Sequence, residues 1–282
     1  MKQVVIFCGG QGKRLRPLTK NIPKPMVEIN GKPFLCYLIN QFKHYGVTNF
    51  LLLTGYKSKN ISDYFSNGSK FGVNIRYDKG PVNWKTNKRL YNAKKKIQKN
   101  FFLIYSDNFA NYPFEQIKKI HFKEKKPLTL FLSKKNKGNL RINKNKKIVE
   151  YDKLRKKKNL SYVEIGYMAA SKNKLFSYIR NDNIDFSDIF QDMIEDNNLN
   201  SLISSENYHS ISDSKRLKKT RKFFSKKKIV LLDRDGLINK KKKKGSYVNN
   251  WSEFKLIKKN IDGLISLSKE KFKFIIITNQ AG

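Results

Sequence analysis

The chain has 282 residues, 39% hydrophobic and 13% aromatic, enough apolar material for one large core and part of a second. It carries 61 Lys and Arg against 22 Asp and Glu, a formal charge of +39. The lysines run along the whole length with no single basic arm, and Lys, Asn, Ile and Phe are abundant together, so nucleic acid is not the partner the charge selects. No apolar stretch approaches the roughly 20 residues of a membrane span. The run 4–7 is interrupted by glycines too soon for a signal peptide. Cys8 and Cys36 fall in apolar or helix-like context, as small buried residues of a reduced, cytoplasmic protein.

In chain order, 4–8, 50–54, 73–77, 101–105 and 128–133 read as strands, and 34–45, 58–66, 88–98 and 114–123 as the helices between them. This alternation predicts a parallel sheet covered by helices, with ligands outside the carboxyl ends of its strands. Residues 139–170 read as short antiparallel strands forming an excursion over the site, and helices follow near 172–180, 187–196 and 214–224. A second unit begins at Lys226 with strand 229–232, helix 260–270 and strand 272–278, the opening of a βαβ pattern too short to complete an α/β domain. The lysine run 240–244 reads as a solvated loop.

The first strand runs into Gly9-Gly10-Gln11-Gly12-Lys13-Arg14-Leu15-Arg16-Pro17-Leu18-Thr19. Such a turn lets backbone N–H groups approach a phosphate or a base edge. A P-loop needs Ser or Thr after its lysine, where Arg14 stands; a dinucleotide fingerprint needs a third glycine, where Leu15 stands. What remains is three glycines, Arg14 and Arg16, then Pro23-Lys24-Pro25-Met26.

That pattern, continued through 27–35 and Gly55-Tyr56-Lys57, resembles the sugar-phosphate nucleotidyltransferase family. The resemblance implies a Rossmann-like, mixed but mainly parallel sheet and a reaction between a nucleoside triphosphate and a sugar 1-phosphate, with Mg²⁺. It implies that Gly9, Gly10 and Gly12 line the nucleotide, that Arg14 and Lys24 hold its phosphates, and that Asp107, at a strand end, holds the metal. Both reactants are polyanions, so fixed positive charge and positioning carry such a reaction.

Several positions depart from the family pattern. Ser106 replaces a glycine before Asp107. The stretch Trp84-Lys85-Thr86-Asn87-Lys88-Arg89-Leu90 lacks the family's glycines near the base; its Thr86, Arg89 and Leu90 resemble the glucose-1-phosphate cytidylyltransferase branch, which leaves the base open. Asp152-Lys153 stands where the family has Glu-Lys at the sugar, and Gly138 and Gly166 fall at expected sugar-site approaches. The second metal ligand falls at Ser210 in strict register; Asp213, three residues on, either substitutes for it or caps a helix.

In the second unit an apolar strand ends in Asp233-Arg234-Asp235, with Tyr247, Val248 and Trp251 downstream and Thr278-Asn279-Gln280-Ala281-Gly282 after the second strand. This resembles haloacid-dehalogenase-like phosphatases of the histidinol-phosphate and heptose-bisphosphate type. The resemblance implies Asp233 as nucleophile and Mg²⁺ ligand, Asp235 as general acid/base, and Thr278 and Asn279 as phosphate contacts, in a domain cut short at Gly282. Together the two likenesses point to domains 1–225 and 226–282 of a bifunctional enzyme of nucleotide-heptose synthesis. The alternatives are a hexose 1-phosphate cytidylyl- or guanylyltransferase and a non-catalytic polybasic binding protein; a homo-oligomer stays open.

Overall fold

Strand β1 (Gln3–Cys8) buries all six residues, since a parallel strand with neighbours on both sides and helices on both faces has no face left for water. In the computed structural model, which describes residues 1–204, 207–225, 228–243, 246–269 and 272–278, the chain divides into two units, Met1–Phe224 and Ser225–Gly282.

The first unit continues through a small hairpin, β2 (Glu28–Ile29) and β3 (Lys32–Pro33), into α1 (Phe34–His44). Then come β4 (Asn49–Thr54), α2 (Ser58–Phe65), β5 (Asn74–Lys79) and α3 (Thr86–Asn92). Next are β6 (Asn100–Tyr105), β7 (Asn108–Phe109), α4 (Phe114–Glu124) and β8 (Leu128–Lys134). The unit closes with β9 (Leu140–Ile142), β10 (Ile148–Tyr151), β11 (Tyr162–Ser171), α5 (Lys172–Leu175), α6 (Phe190–Glu195), β12 (Leu199–Ser204), β13 (His209–Ser210) and α7 (Ser214–Phe224).

Strands β6, β1, β4 and β5 run parallel in that order, so β1 and β6 deliver their carboxyl ends side by side. Strand β11 joins β6 antiparallel and passes on to β8, which pairs parallel with β12. The sheet is therefore mixed and mainly parallel, as expected. The antiparallel segment differs from its expected place: ten-residue β11, Tyr162 to Ser171 with Val163 and Ile165–Ala170 buried, lies in the middle of the sheet and not over the site. Its apolar content demands two covered faces.

Alternate residues of the strands feed two cores. Val4, Ile6, Phe50, Phe102 and Tyr167 pack with α1 and α4 on one face. Val5, Phe7, Leu51, Leu103 and Phe190 pack on the other. At about 1.5–3 kcal/mol per fully buried large apolar side chain, these faces supply the driving force. His121 of α4 is buried with its ring nitrogens 2.9 Å from Thr129 Oγ1 and 2.9 Å from Ser171 Oγ; burial pulls its pKa down to about 4, so it is a neutral core residue.

Some boundaries differ from the sequence expectation. The helix expected over 88–98 starts two residues earlier, at Thr86, and tightens into a 3-10 turn at Ala93–Lys96; that expected over 172–180 is one turn, Lys172–Leu175. Strand β12, half polar without strict alternation and mostly only partly buried, carries no clear strand period in its sequence.

In the second unit, β14 (Lys228–Asp233), α8 (Lys258–Lys269) and β15 (Phe272–Ile277) form a βαβ, with Asp233 beside Ile277 in parallel register. Its apolar strands are open to solvent: Leu231 is 62% and Ile276 55% exposed.

Candidate active site

Beyond Cys8 the backbone turns at Gly9 and Gly10, beside the end of β6. A Cβ on Gly9 would lie 2.4 Å from the Arg89 guanidinium, and one on Gly55 would meet the same group at 2.4 Å. Arg89 is buried and donates to the carbonyl oxygens of Thr54 (2.6 Å) and Pro81 (2.6 Å), tying the ends of β4 and β5 beneath the turn. Gly9 and Gly55 are therefore required by packing against this cation, whereas Gly10 faces open space. Gly12, at φ 64, sits in the left-handed region, and its carbonyl accepts from Thr19 Oγ1 at 2.8 Å.

Pro23 leads into a 3-10 turn, Lys24–Met26, whose proline-lined backbone holds Lys24 over the strand ends. Its Nζ lies 2.5 Å from Oδ2 of Asp107, which follows β6, with both side chains partly exposed. Gly9, Gly10, Lys24, Trp84, Thr86 and Asp107 line one cleft of about 300 Å³, with Arg89, Tyr105 and Asp185 completing its walls. Thr86 Oγ1 accepts from the Phe186 N–H at 2.6 Å. Ser106, in place of the family's glycine, is buried and donates to the Phe7 carbonyl at 2.6 Å, binding the ends of β6 and β1 together.

Other expected site residues fall elsewhere. Arg14 is exposed on the turn Lys13–Leu15 and does not line the cleft. Asp213 caps α7, accepting from the Arg216 N–H at 2.8 Å, so its carboxylate serves the helix start. Ser210, at the position the family likeness gives to the second metal ligand, donates from Oγ to the Asp107 carbonyl at 3.2 Å, so it lies beside Asp107 without bringing a carboxylate. Asp152 accepts the N–H groups of Leu154, Lys156 and Lys157 in a turn. Lys153 reaches Asp185 (2.5 Å) and Asp188 (2.7 Å), touching the cleft wall through Asp185. Gly138 packs against the backbone of Tyr162, where a Cβ would lie 2.2 Å from its carbonyl oxygen, and Gly166 (φ +87) packs against the Tyr105 ring.

Two acidic residues of this region escaped the sequence reading. Asp185 lines the cleft itself. Glu164, on β11, has a buried Oε1 with no hydrogen-bond partner. Burial, reinforced by the charge of Asp107, pushes the Glu164 carboxyl up to about 7, against a hydrogen bond from the Gly166 backbone. A lone glutamate inside the apolar stretch 162–171 is the sequence signal for it.

In the second unit, Asp233, Asp235, Lys241, Lys242 and Tyr247 line a cavity of about 220 Å³. Asp235 is held by Arg234 (3.0 Å) and by Asn239 Nδ2 (2.8 Å). Thr278 follows β15, one residue past the Asp233–Ile277 pair; Asn279 lies outside the described residues.

A glycine turn, a lysine and an acidic strand end around one cleft at the carboxyl edge of a mainly parallel sheet define a nucleotide-phosphate-handling α/β protein. The chain belongs to the Nucleotidyl transferase family, which it matches over residues 3–207. It is 34% identical over 130 residues to a Bacillus subtilis protein named "Probable glucose-1-phosphate cytidylyltransferase", covering 39% of this chain and 51% of that protein. It is 32% identical over 118 residues to the D-glycero-alpha-D-manno-heptose 1-phosphate guanylyltransferase of Campylobacter jejuni, covering 41% of this chain and 52% of that protein. The chain thus spans about half the length of these curated relatives. In fold it is similar to the crystal structure of HddC from Yersinia pseudotuberculosis, with a TM-score of 0.65 and 23% identity, covering 80% of this chain and all of that one. Among the described residues no helix is long and apolar enough to cross a membrane.

For the divalent cation such enzymes use, no group of three or more His, Cys, Asp or Glu side chains able to hold it occurs among the described residues. Mg²⁺ is commonly held by one or two carboxylates, with substrate phosphates and water completing its shell. Asp107 and Asp185 are the carboxylates that line the cleft, which is within that number.

Proposed function

We propose that the first unit transfers a nucleotidyl group from a nucleoside triphosphate to a sugar 1-phosphate. The observation that carries this reading is the Lys24–Asp107 pair at 2.5 Å, standing in one cleft with Gly9 and Gly10. An oxygen of the sugar phosphate attacks the α-phosphorus, the bond to the β-phosphate oxygen breaks, and pyrophosphate leaves beside the nucleotide sugar. The nucleophile is already ionised, so no general base is required. Lys24 neutralises the phosphates at the reacting centre, and the Gly9–Gly10 backbone admits the nucleotide without side-chain obstruction. Asp107 would hold Mg²⁺, which when bound adds charge neutralisation at the phosphates. On nucleotide binding, Lys24 would exchange the Asp107 carboxylate for phosphate oxygen. Arg14, outside the cleft lining, enters only as a surface cation.

For the acceptor, the likeness to a heptose 1-phosphate guanylyltransferase and the aspartate pair of the second unit favour D-glycero-D-manno-heptose 1-phosphate. The second unit, in this reading, belongs to a phosphatase that releases the distal phosphate of a heptose bisphosphate and so supplies the acceptor; Asp233 would attack phosphorus, Asp235 would protonate the leaving oxygen, and water would then cleave the aspartyl phosphate to free Asp233 and inorganic phosphate. A hexose 1-phosphate cytidylyltransferase is the second reading, favoured by Thr86, Arg89 and Leu90.

Pyrophosphate release measured with GTP or CTP and each sugar 1-phosphate tests the proposal. Lys24→Met and Asp107→Asn should each lower kcat by about 10²–10³-fold with the melting temperature nearly unchanged. Silence of the unaltered protein with every pair, together with salt-sensitive, sequence-indifferent DNA binding, would establish the polybasic binding protein instead.

A further inference from the structure

The segment 83–88, which brings Trp84, Lys85 and Thr86 to the nucleotide cleft, is bonded along its length to loop 180–186, a stretch 93 to 100 residues away in the chain. The Asn183 side chain takes both peptide groups that flank Trp84: its Oδ1 accepts the Lys85 N–H at 2.7 Å and its Nδ2 donates to the Asn83 carbonyl at 3.2 Å. Asn87, wholly buried, donates its N–H to the Ile184 carbonyl at 3.1 Å. Its Nδ2 donates to the carbonyls of Arg180 (2.9 Å) and Asp182 (3.2 Å). With the Phe186 N–H on Thr86 Oγ1, the loop grips the cleft wall at four consecutive peptide units, a cross-link set by hydrogen-bond geometry and not by apolar packing.

Trp84 is half-buried in the cleft wall, and its ring packs directly on the Gly80 backbone, where a Cβ would lie 2.5 Å from Cε3. Lys88 Nζ, bonded to the Asn181 carbonyl at 3.1 Å, stands 5.8 Å from the ring centre, near the limit of a cation–π approach. Two other rings line the cleft, Phe7 and Tyr105, but they pack against each other at 5.2 Å between centres, and Phe7 is buried. Trp84 makes no ring–ring contact among the described residues, so its π surface is the one that no other ring engages. A nucleotide brings phosphates, which Lys24 attracts, and a base, the one flat group it carries that gains from lying on an aromatic face.

We infer that loop 180–186 is a positioning strap for the nucleotide: Asn183, by holding both peptide groups beside Trp84, fixes its indole as the surface on which the base lies. The inference rests on the proposed transfer for the presence of a nucleotide in the cleft, and it goes beyond that reading by naming the ring that takes the base and the residue that aims it. Stacking gives affinity with little choice among bases, because every base has a π face, so GTP and CTP both use the platform.

Tryptophan emission of the full chain, titrated with GTP, CTP and base-free inorganic tripolyphosphate in the presence of Mg²⁺, tests this. GTP and CTP should each quench it, tripolyphosphate should not, and Trp84→Phe, which keeps Trp251, should lose the change. In calorimetry Trp84→Ala should weaken nucleotide binding about 10–100-fold and Trp84→Phe by no more than about threefold. Asn183→Ala, at an exposed position, should weaken it about 3–10-fold; in turnover it should raise the nucleotide KM by that factor, with kcat and the sugar 1-phosphate KM within about twofold. Unchanged emission with both nucleotides, an equal quench by tripolyphosphate, or full affinity in Trp84→Ala or Asn183→Ala would overturn the inference. Nucleotide binding as expected, with no pyrophosphate released from any sugar 1-phosphate, would sink the transferase reading and leave this one standing; pyrophosphate release with unchanged emission would do the reverse.

Discussion

Leu52 of β4 and Leu231 of β14 sit in apolar parallel strands that read alike in sequence, yet the first is wholly buried and the second is 62% exposed. In the first unit a strand has neighbours on both edges and helices against both faces, while β14 has one described neighbour, β15, and α8 buries none of its residues. The acidic ends differ in kind as well. Asp107 meets a lysine brought from 83 residues away in sequence, whereas Asp235 is held by its immediate neighbour Arg234 and by Asn239. Strand chemistry therefore sets the capacity for burial, and the number of packed layers sets whether it is realised. A site built by long-range contacts needs the layers; one built by a local turn can form without them.

Paired substitutions break or sharpen this contrast. Leu52→Ala should cost about 2–5 kcal/mol in chemical denaturation, and Leu231→Ala about 0.5 kcal/mol or less. Comparable losses would mean that the second unit is as well packed in solution as the first.

Next in size is a proton effect confined to the first unit. The Glu164 carboxyl is raised to about 7, so its contribution to stability is complete below its unfolded pKa and is lost as pH rises through about 7. Glu164→Gln should remove that loss, stabilising the first unit by about 2 kcal/mol above neutrality and by little at pH 5, in melts followed across pH. A melting difference that did not grow with pH would show the carboxyl to be solvated.

The smallest contrast concerns caps. Asp213→Ala removes the acceptor for the Arg216 N–H at the start of an eleven-residue helix packed on the first core, and should cost about 1 kcal/mol. Asn250 caps a three-residue turn in the second unit, and Asn250→Ala should cost less than half of that, read from the same denaturation curves.

Much of this arrangement was legible in the chain itself. The β1 strand, its glycine turn and the order of strands and helices through 124 follow from apolar runs and breakers that act locally. The convergence of Lys24 with Asp107 was expected through a family likeness, since no spacing rule relates residues 83 apart. The place of β11 was misread because a strand rich in Tyr, Val and Ala carries no mark of which neighbour it pairs with. Glu164 was passed over because a carboxylate in a strand reads as solvent-facing until the second covering layer is known.

By itself the sequence determined the elements, their apolar faces, the glycines at the turn and the acidic ends of two strands, because backbone sterics and hydrophobic period act within a few residues. Only the tertiary structure decided that Asp213 caps a helix, that Arg14 stands outside the cleft, and that Asn183 holds the peptide groups on both sides of Trp84. Those outcomes depend on which surfaces the sheet brings within a few ångströms of each other, and that proximity is a property of packing between distant segments.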